Sequence, residues 1–181
     1  MKADQHLILT GFMGSGKSSV GRELATLLQR PFIDLDKYIE KQTGLTIAEI
    51  FEHQGETSFR RLEQQSLKTV LAYPPLVLAT GGGTIISEDN RQLIQNRGYI
   101  IFLDASLDTI MKRTGGSHSR PLLLTGDKTI SDRRFRQQKI KDLLSERRPF
   151  YEICHLKILT DNLSVHQVVR KIISQLPSNP D

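Results

Sequence analysis

Two patterns of apolar and polar positions alternate along the chain. Apolar runs of four or five residues are typical of buried parallel strands, and they lie at 6–10, 31–34, 76–79, 99–103 and 156–160. Apolar residues at helical spacing predict helices between these runs, near 17–29, 36–42, 46–52, 57–72, 89–96, 106–113, 130–147 and 164–175. Strands that alternate with helices indicate an α/β protein, with a parallel sheet covered by helices on both faces.

A phosphate-binding motif follows the first predicted strand. Residues 11–18 read Gly-Phe-Met-Gly-Ser-Gly-Lys-Ser and open the first predicted helix. In such a loop the backbone N–H groups, here those of Gly14, Ser15 and Gly16, cradle a polyphosphate. The lysine, Lys17, reaches the β- and γ-phosphates, and the hydroxyl of Ser18 can ligate Mg²⁺. The strand and helix on either side favour a phosphate-binding loop over a glycine-rich turn that binds nothing. The motif therefore predicts ATP and Mg²⁺ as cofactors. Ser19, the next residue, is also expected to bind the nucleotide.

The bulk composition narrows the class of partner. The net charge is +5, but basic residues are mostly scattered among acidic ones, which favours a polyanionic small molecule over nucleic acid. Cys154 is the one cysteine, so an intramolecular disulfide is excluded and a reducing compartment is favoured. No secretory signal and no stretch of about 18 apolar residues is found. We therefore expect a cytoplasmic protein without a nucleic-acid or membrane partner.

The length of 181 residues predicts one domain over 1–181. Two segments look like insertions that cover the sheet. The first, about 36–60, is rich in charge and is expected to bind the substrate. The second, about 114–128, contains Gly115, Gly116 and Arg120. A glycine-hinged polar segment near a phosphate site is a candidate lid that excludes water from the reaction, and Arg120 would be its catalytic cation. His118, in the same segment, has no assigned role.

Two carboxylates follow the second predicted strand, in the run Phe32-Ile33-Asp34-Leu35-Asp36. Ligands of open α/β sheets bind at the carboxyl ends of the strands. Asp34 can orient waters around Mg²⁺, and Asp36 can accept a hydrogen bond, and a proton, from a substrate hydroxyl. On its own an Asp-x-Asp pair fits a helix N-cap equally well, and the nearby phosphate loop favours the site.

Two further patterns concern the acceptor. Arg60 and Glu63 lie three residues apart on a predicted helix and can pair, either to hold the arginine ready for a carboxylate or as an ordinary surface ion pair. The third predicted strand ends at Gly81, Gly82 and Gly83, and consecutive glycines allow backbone amides to approach a ligand closely.

Together these motifs resemble the shikimate kinase family. The phosphate loop, Phe-x-Asp-x-Asp, Gly-Glu-x-x-Phe-Arg-x-x-Glu, Gly-Gly-Gly, Arg-Pro-Leu-Leu and Glu-Arg-x-Pro-x-Tyr-Glu appear in family order between residue 7 and about 160. The resemblance implies a P-loop NTPase of the nucleoside-monophosphate-kinase-like fold, with a five-stranded parallel sheet of order 2-3-1-4-5. It also implies transfer of a phosphoryl group from ATP to the 3-hydroxyl of shikimate, by a cytoplasmic monomer.

The resemblance also implies roles for individual residues. Asp36, Arg60, Gly82 and Arg147 would bind shikimate, the two arginines chiefly through its carboxylate. Lys17 and Arg120 would stabilise the transferring phosphoryl group, with Asp36 as the third catalytic residue. Arg113 matches the arginine that lies against adenine, so Arg113 and Arg120 join the nucleotide-binding set.

The sequence alone leaves two ambiguities and three rival functions. Arg147 is followed by Arg148, and Arg60 by Arg61, so either arginine of each pair could face the substrate. The spacing to Pro149 and Tyr151 selects Arg147. The preceding Phe59 selects Arg60. The rivals are another small-molecule kinase acting on gluconate or a nucleotide, a catalytically silent binding module of the same family, and, more remotely, a nucleic-acid binder. A silent module would be expected to lack Lys17, Asp36 or an arginine, and all are present.

Overall fold

The computed structural model describes residues 5–114 and 133–177. Five strands form one sheet: β1 (His6–Thr10), β2 (Phe32–Asp34), β3 (Val77–Ala79), β4 (Gly98–Asp104) and β5 (Leu156–Leu159). Their order is β2-β3-β1-β4-β5, and every neighbouring pair is parallel. This order confirms the predicted fold class. It also brings the carboxyl ends of β1, β2 and β3, each followed by a candidate motif, to the same edge of the sheet.

Helices connect these strands. Those in the described residues are α1 (Lys17–Leu27), α2 (Leu35–Thr43), α3 (Ile47–Val70), α4 (Glu88–Arg97), α5 (Leu107–Thr114), α6 (Arg133–Tyr151) and α7 (Val165–Gln175), with a short 3₁₀ helix at Thr84–Ile86. None of the helices in the described ranges is long and apolar enough to cross a membrane.

Successive residues of the central strands point into two separate cores. On β1, Ile8 packs into a cluster with residues of α2, α3, α4, α5 and α6, whereas Leu7 and Leu9 pack into a second cluster with α1 and α7. On β4, Phe102 joins the first cluster and Leu103 the second. This alternation follows from the two-residue period of a strand, and it explains why these strands are apolar at every position.

One predicted helix break is confirmed and one predicted helix end is wrong. The helices predicted at 46–52 and 57–72 lie on either side of Gly55, whose φ of 77° and ψ of 170° are not helical, so α3 consists of two helical segments joined by a kink. The helix predicted to end at 147 continues past Pro149 to Tyr151. A proline in a helix removes one backbone donor. Tyr151 is fully buried and its ring stacks on Phe102 with centroids 5.3 Å apart, so the packing of this ring offsets the lost hydrogen bond.

The predicted insertions have different outcomes. The segment 36–60 forms most of α2 and the first part of α3, so it is helical on both sides of Gly44. Of the predicted lid, Thr114 ends α5, and residues 115–128, including His118 and Arg120, lie outside the described residues.

Candidate active site

The phosphate loop connects β1 to α1 as the sequence predicts. Gly16 precedes α1 in the left-handed conformation, with φ 102°, and no side chain caps the helix. The first turn of α1 also contains no acidic residue, so the N-terminal amides and the positive end of the helix dipole remain available to an anion. Lys17 is largely buried and its Nζ donates to the carbonyls of Gly11 at 2.8 Å and Phe12 at 3.0 Å. The ammonium group is therefore held against the loop.

Asp34 links the phosphate loop to α2. Its Oδ2 accepts a hydrogen bond from the Ser18 hydroxyl at 2.5 Å, and its Oδ1 accepts from the backbone N–H of Lys37 at 3.3 Å as the N-cap of α2. The two sequence readings of this carboxylate, helix cap and magnesium-site residue, are therefore compatible. Oxygen ligands of this kind, with waters completing the shell, are what Mg²⁺ prefers, so Ser18 and Asp34 fit the predicted metal position.

Asp36 lies in the first turn of α2 and faces the same cleft. Burial raises the pKa of Asp36 to about 6, and the neighbouring carboxylates of Asp34 and Glu63 act in the same direction. Lys17 opposes this shift. A carboxyl group that titrates near neutral pH can exchange a proton with a substrate hydroxyl, which is a property expected of a general base.

Arg60 projects from α3 and is held by two carboxylates. Its Nη1 donates to Glu63 Oε2 at 2.9 Å, and its Nη2 donates to Glu56 Oε1 at 3.0 Å. Glu63 is only 1% exposed and also accepts a hydrogen bond from the Thr84 hydroxyl at 2.7 Å. The Arg60–Glu63 pair is therefore not a surface ion pair. Glu63 orients Arg60, a role that the i, i+3 spacing suggested without indicating that Glu63 is buried.

The glycine triplet lies between β3 and the 3₁₀ helix, where side chains from α2 and α3 press on the backbone. A Cβ atom at Gly81 would lie 2.7 Å from Asp36 Oδ1 and 3.0 Å from Glu63 Oε1. A Cβ atom at Gly83 would lie 2.8 Å from both terminal nitrogens of Arg60. No side chain fits at either position without displacing these groups, so the glycines allow the acidic and basic groups to meet.

The structure separates Arg147 from Arg148. Arg147 is 4% exposed, lines the cleft, and approaches the Gly82 carbonyl at 3.4 Å through Nη1. Arg148 turns away and donates to Asp104 Oδ2 at 2.6 Å through Nη2. The two arginines are adjacent in sequence and point to different partners because successive residues of a helix are about 100° apart. The geometry thus favours the residue that the spacing selected.

Arg113 lies at the nucleotide side of the same cleft. Its Nη2 donates to the Thr160 carbonyl at 2.9 Å, and its Nη1 donates to the Thr160 hydroxyl at 3.1 Å. The same Nη1 approaches the carbonyls of Gly14 and Ser15, each at 3.4 Å. Arg113 therefore joins the phosphate loop to the carboxyl end of β5. Arg120, the other predicted arginine of this side, is outside the described residues.

One cleft of about 510 Å³ collects nearly all of the predicted residues. The predicted residues that line it are Gly14, Gly16, Lys17, Ser18, Ser19, Asp34, Asp36, Arg60, Gly82, Arg113 and Arg147. Ser15 is the exception within the described residues: its side chain is buried, and its hydroxyl has no hydrogen-bond partner there. Glu63 also lines the cleft, although the sequence interpretation had assigned it only as a partner of Arg60.

A phosphate loop on a parallel sheet of order 2-3-1-4-5, facing a cleft with a carboxylate and two arginines, defines a small-molecule kinase of the P-loop class. A model of the family described as "Shikimate kinase" matches residues 13–177. The chain belongs to the shikimate kinase family.

Individual relatives agree with this assignment. A shikimate kinase of Thermus thermophilus is 39% identical over 168 residues, which cover 93% of this chain and 88% of the relative. The solved structure of a shikimate kinase from Acinetobacter baumannii, in complex with shikimate, superposes with a TM-score of 0.87 at 37% identity and covers 97% of both chains. A gluconokinase from Sinorhizobium meliloti superposes with a TM-score of 0.58 at 17% identity, a likeness that shows the fold alone.

Proposed function

We propose that this chain transfers the γ-phosphoryl group of ATP to the 3-hydroxyl of shikimate and releases shikimate 3-phosphate and ADP. The observation that carries the proposal is that one cleft holds both a phosphate loop and an acceptor side with one carboxylate and two arginines. Shikimate carries one carboxylate and three hydroxyl groups, which match these side chains. The solved relative that binds shikimate, with 37% identity over nearly the whole chain, supports the same substrate.

The acceptor side would recognise shikimate through charge and hydrogen bonds. Arg60 and Arg147 approach the glycine triplet from α3 and α6, and a guanidinium can bind a carboxylate with two parallel hydrogen bonds. Asp36 would accept hydrogen bonds from the ring hydroxyls. Glu63 would keep Arg60 in place, since it accepts from Arg60 on one oxygen and from Thr84 on the other.

The donor side would bind the triphosphate and neutralise its charge. The N-terminal amides of α1 would contact the phosphates, and Lys17 would move from the loop carbonyls to the β- and γ-phosphate oxygens. Ser18 would hold Mg²⁺ directly and Asp34 through a water molecule. When bound, this ion neutralises charge on the phosphates. Arg113 would lie against the adenine ring, as the family resemblance implies.

Phosphoryl transfer then requires mainly positioning and charge neutralisation. Asp36 would hold the acceptor hydroxyl and take its proton, because its raised pKa of about 6 leaves it ionised at neutral pH and able to accept a proton. Lys17 would stabilise the charge that develops on the transferring group. Arg120 would add a second positive charge from the predicted lid, a role that rests on the family resemblance.

We further propose that residues 1–181 form one kinase domain that acts as a monomer in the cytoplasm. The length of the chain and the family resemblance support this proposal. Size-exclusion chromatography with light scattering measures the mass directly, and a mass near 20.5 kDa is expected for a monomer. A mass of twice this value would contradict it.

A coupled assay of ADP release tests the proposed reaction. Purified chain, ATP and Mg²⁺ are incubated with shikimate, with gluconate and with a nucleoside monophosphate in separate reactions. We expect turnover with shikimate at a rate well above that of either alternative. Turnover with gluconate or the nucleotide but not with shikimate would replace the proposal by one of its rivals. Binding of shikimate without any turnover would favour a silent binding module.

A further inference from the structure

The carbonyl oxygens of the glycine triplet are held in different ways. Gly81 O accepts a backbone hydrogen bond from Thr84 N at 3.3 Å, and Gly83 O accepts one from Ile86 N at 3.1 Å. Both donors belong to the adjacent 3₁₀ helix. In the described part of the chain, the donors to Gly82 O are two side chains of α6: the hydroxyl of Tyr151 and Nη1 of Arg147 at 3.4 Å. The orientation of the Gly82 carbonyl therefore depends on α6.

Packing holds the Tyr151 side chain in this position. Its side chain is fully buried and its ring stacks on Phe102. Burial raises the pKa of Tyr151 to about 12 against the opposing effect of nearby Arg147, so the phenol keeps its proton at neutral pH and can donate to Gly82 O. Arg147 and Tyr151 are four residues apart on α6, which places them on the same face of the helix.

Arg147 has competing demands on its donors. The guanidinium lies 5.9 Å from the centre of the Phe12 ring, and its Nε is buried without a hydrogen-bond partner in the described residues. Its contact with Gly82 O, at 3.4 Å, is long for an N–H···O hydrogen bond. A carboxylate in the cleft would draw the Arg147 donors away from this carbonyl. Without another donor, the carbonyl would then lose its partner, which has a cost for a partly buried polar group.

We propose that Tyr151 is a positioning residue of the acceptor site: its hydroxyl satisfies the Gly82 carbonyl and thereby frees Arg147 to bind the carboxylate of the substrate. This inference rests on the proposed function, since it assigns Arg147 to a carboxylate. It assigns no chemical step to Tyr151, which contacts Gly82 and Arg147 rather than the reacting atoms. In the sequence, Tyr151 served only to distinguish Arg147 from Arg148 by its spacing.

The Tyr151→Phe variant tests the inference. It deletes one oxygen and keeps the ring that packs on Phe102, so the chain is expected to fold. We expect the KM for shikimate to rise about tenfold, because Gly82 O then competes with the substrate for Arg147. The KM for ATP and kcat are expected to stay within twofold of wild type. A purely structural role would affect both substrates or stability alone.

Tyr99→Phe is the matched control. Tyr99 lies on β4 and stacks on His155, in the core on the other face of the sheet, so the same chemical change there should leave both KM values unchanged. Circular dichroism and a thermal melt of each variant establish that the fold is retained.

A double-mutant cycle with Arg147→Lys tests whether Tyr151 acts through Arg147. If it does, adding Tyr151→Phe to Arg147→Lys should raise the KM for shikimate by much less than the tenfold seen in the wild-type background. A shikimate KM within twofold of wild type for Tyr151→Phe, an equal rise in the KM for ATP, or a fully additive cycle would each overturn the inference. Absence of shikimate turnover by the wild-type chain would instead refute the proposed function.

Discussion

The two halves of the cleft are constructed in different ways. The donor half is built around one continuous stretch, residues 11–18, in which backbone amides and a single lysine face the cleft at the start of α1, and Asp34 of β2 and Arg113 of α5 lie beside it. The acceptor half draws Asp36 from α2, Arg60 from α3, Gly82 from the loop after β3 and Arg147 from α6. On the proposed function, a local motif would thus bind ATP, and a tertiary arrangement would select shikimate.

The two halves should therefore respond differently to substitutions. The donor half depends mainly on local backbone conformation and on the charge of Lys17, so the largest losses of its function are expected from changes within the loop. The acceptor half depends on contacts between elements, such as Glu63 with Thr84 and Tyr151 with Gly82. Substitutions of residues that make these contacts, even where they do not touch the substrate, should therefore alter shikimate recognition and leave nucleotide binding intact.

The largest expected effect is on the donor half. Lys17→Ala should lower kcat by roughly 100- to 1,000-fold, because the charge on the transferring group loses one preorganised donor. The KM for shikimate should change little. Lys68→Ala, at an exposed position near the end of α3, is the control and should retain wild-type turnover. A Lys17→Ala variant with normal kcat would contradict the role of Lys17 in the donor half.

The next effect is confined to the acceptor half. Arg147→Ala should raise the KM for shikimate roughly 100-fold, since a buried charge partner of the carboxylate is lost, and should leave the KM for ATP within about threefold of wild type. Arg148→Ala is the control from the neighbouring position. It should leave both KM values unchanged and lower the free energy of unfolding by about 1–2 kcal/mol, because Asp104 loses one hydrogen-bonded partner and keeps Lys157 at 3.4 Å.

If Arg148→Ala instead impaired shikimate binding while Arg147→Ala did not, Arg148 rather than Arg147 would be the arginine that binds the carboxylate of shikimate. Steady-state kinetics with each substrate varied in turn, together with urea unfolding, distinguish these outcomes.

A pH profile sharpens the role of Asp36. With a pKa of about 6, the carboxylate form falls about tenfold between pH 7 and pH 5, so kcat/KM for shikimate should fall by about the same factor. The Asp36→Asn variant should have a low and nearly flat profile over this range. A wild-type profile that is flat from pH 5 to pH 7 would contradict a role for the ionised form of Asp36.

Asp36 should also reduce stability. Its pKa is raised in the folded chain, so the folded state binds the proton more tightly and stability is lost as pH rises from about 4 through about 6. Asp36→Asn should therefore increase the free energy of unfolding at pH 7.5 by about 1–2 kcal/mol. Urea unfolding at pH 7.5 measures this difference, and a destabilised variant would contradict it.

The smallest effect lies outside both halves. His6, at the start of β1, accepts a hydrogen bond from Leu76 N on Nδ1 at 3.3 Å, and its Nε2 lies 3.3 Å from Leu71 O. Burial lowers the pKa of His6, so the folded state favours the neutral ring and its contribution to stability is lost as pH falls below about 6.5. His6→Asn should reduce the acid-dependent drop in urea midpoint and leave both KM values unchanged. A change in either KM would place His6 within the functional network.

The sequence predicted the donor half more completely than the acceptor half. The phosphate loop is contiguous, so strand, loop and helix could be placed from residues 6–29 alone. The predicted end of α6 was wrong. A proline usually marks a helix boundary, but packing of Tyr151 on Phe102 maintains the helix through Pro149. Glu63 is buried and accepts a hydrogen bond from Thr84, twenty-one residues away, and no local pattern reveals such a contact.

The acceptor half should select shikimate through the carboxylate of the substrate, and a comparison of two substrates tests this selection. The ratio of kcat/KM for shikimate to kcat/KM for its methyl ester, in which the carboxylate charge is removed, is measured for the wild-type chain and for Arg147→Ala. We expect the wild-type chain to prefer shikimate by roughly 100-fold and the variant to lose most of this preference. A variant that retains the full preference, or a wild-type chain that uses both compounds equally, would contradict the account.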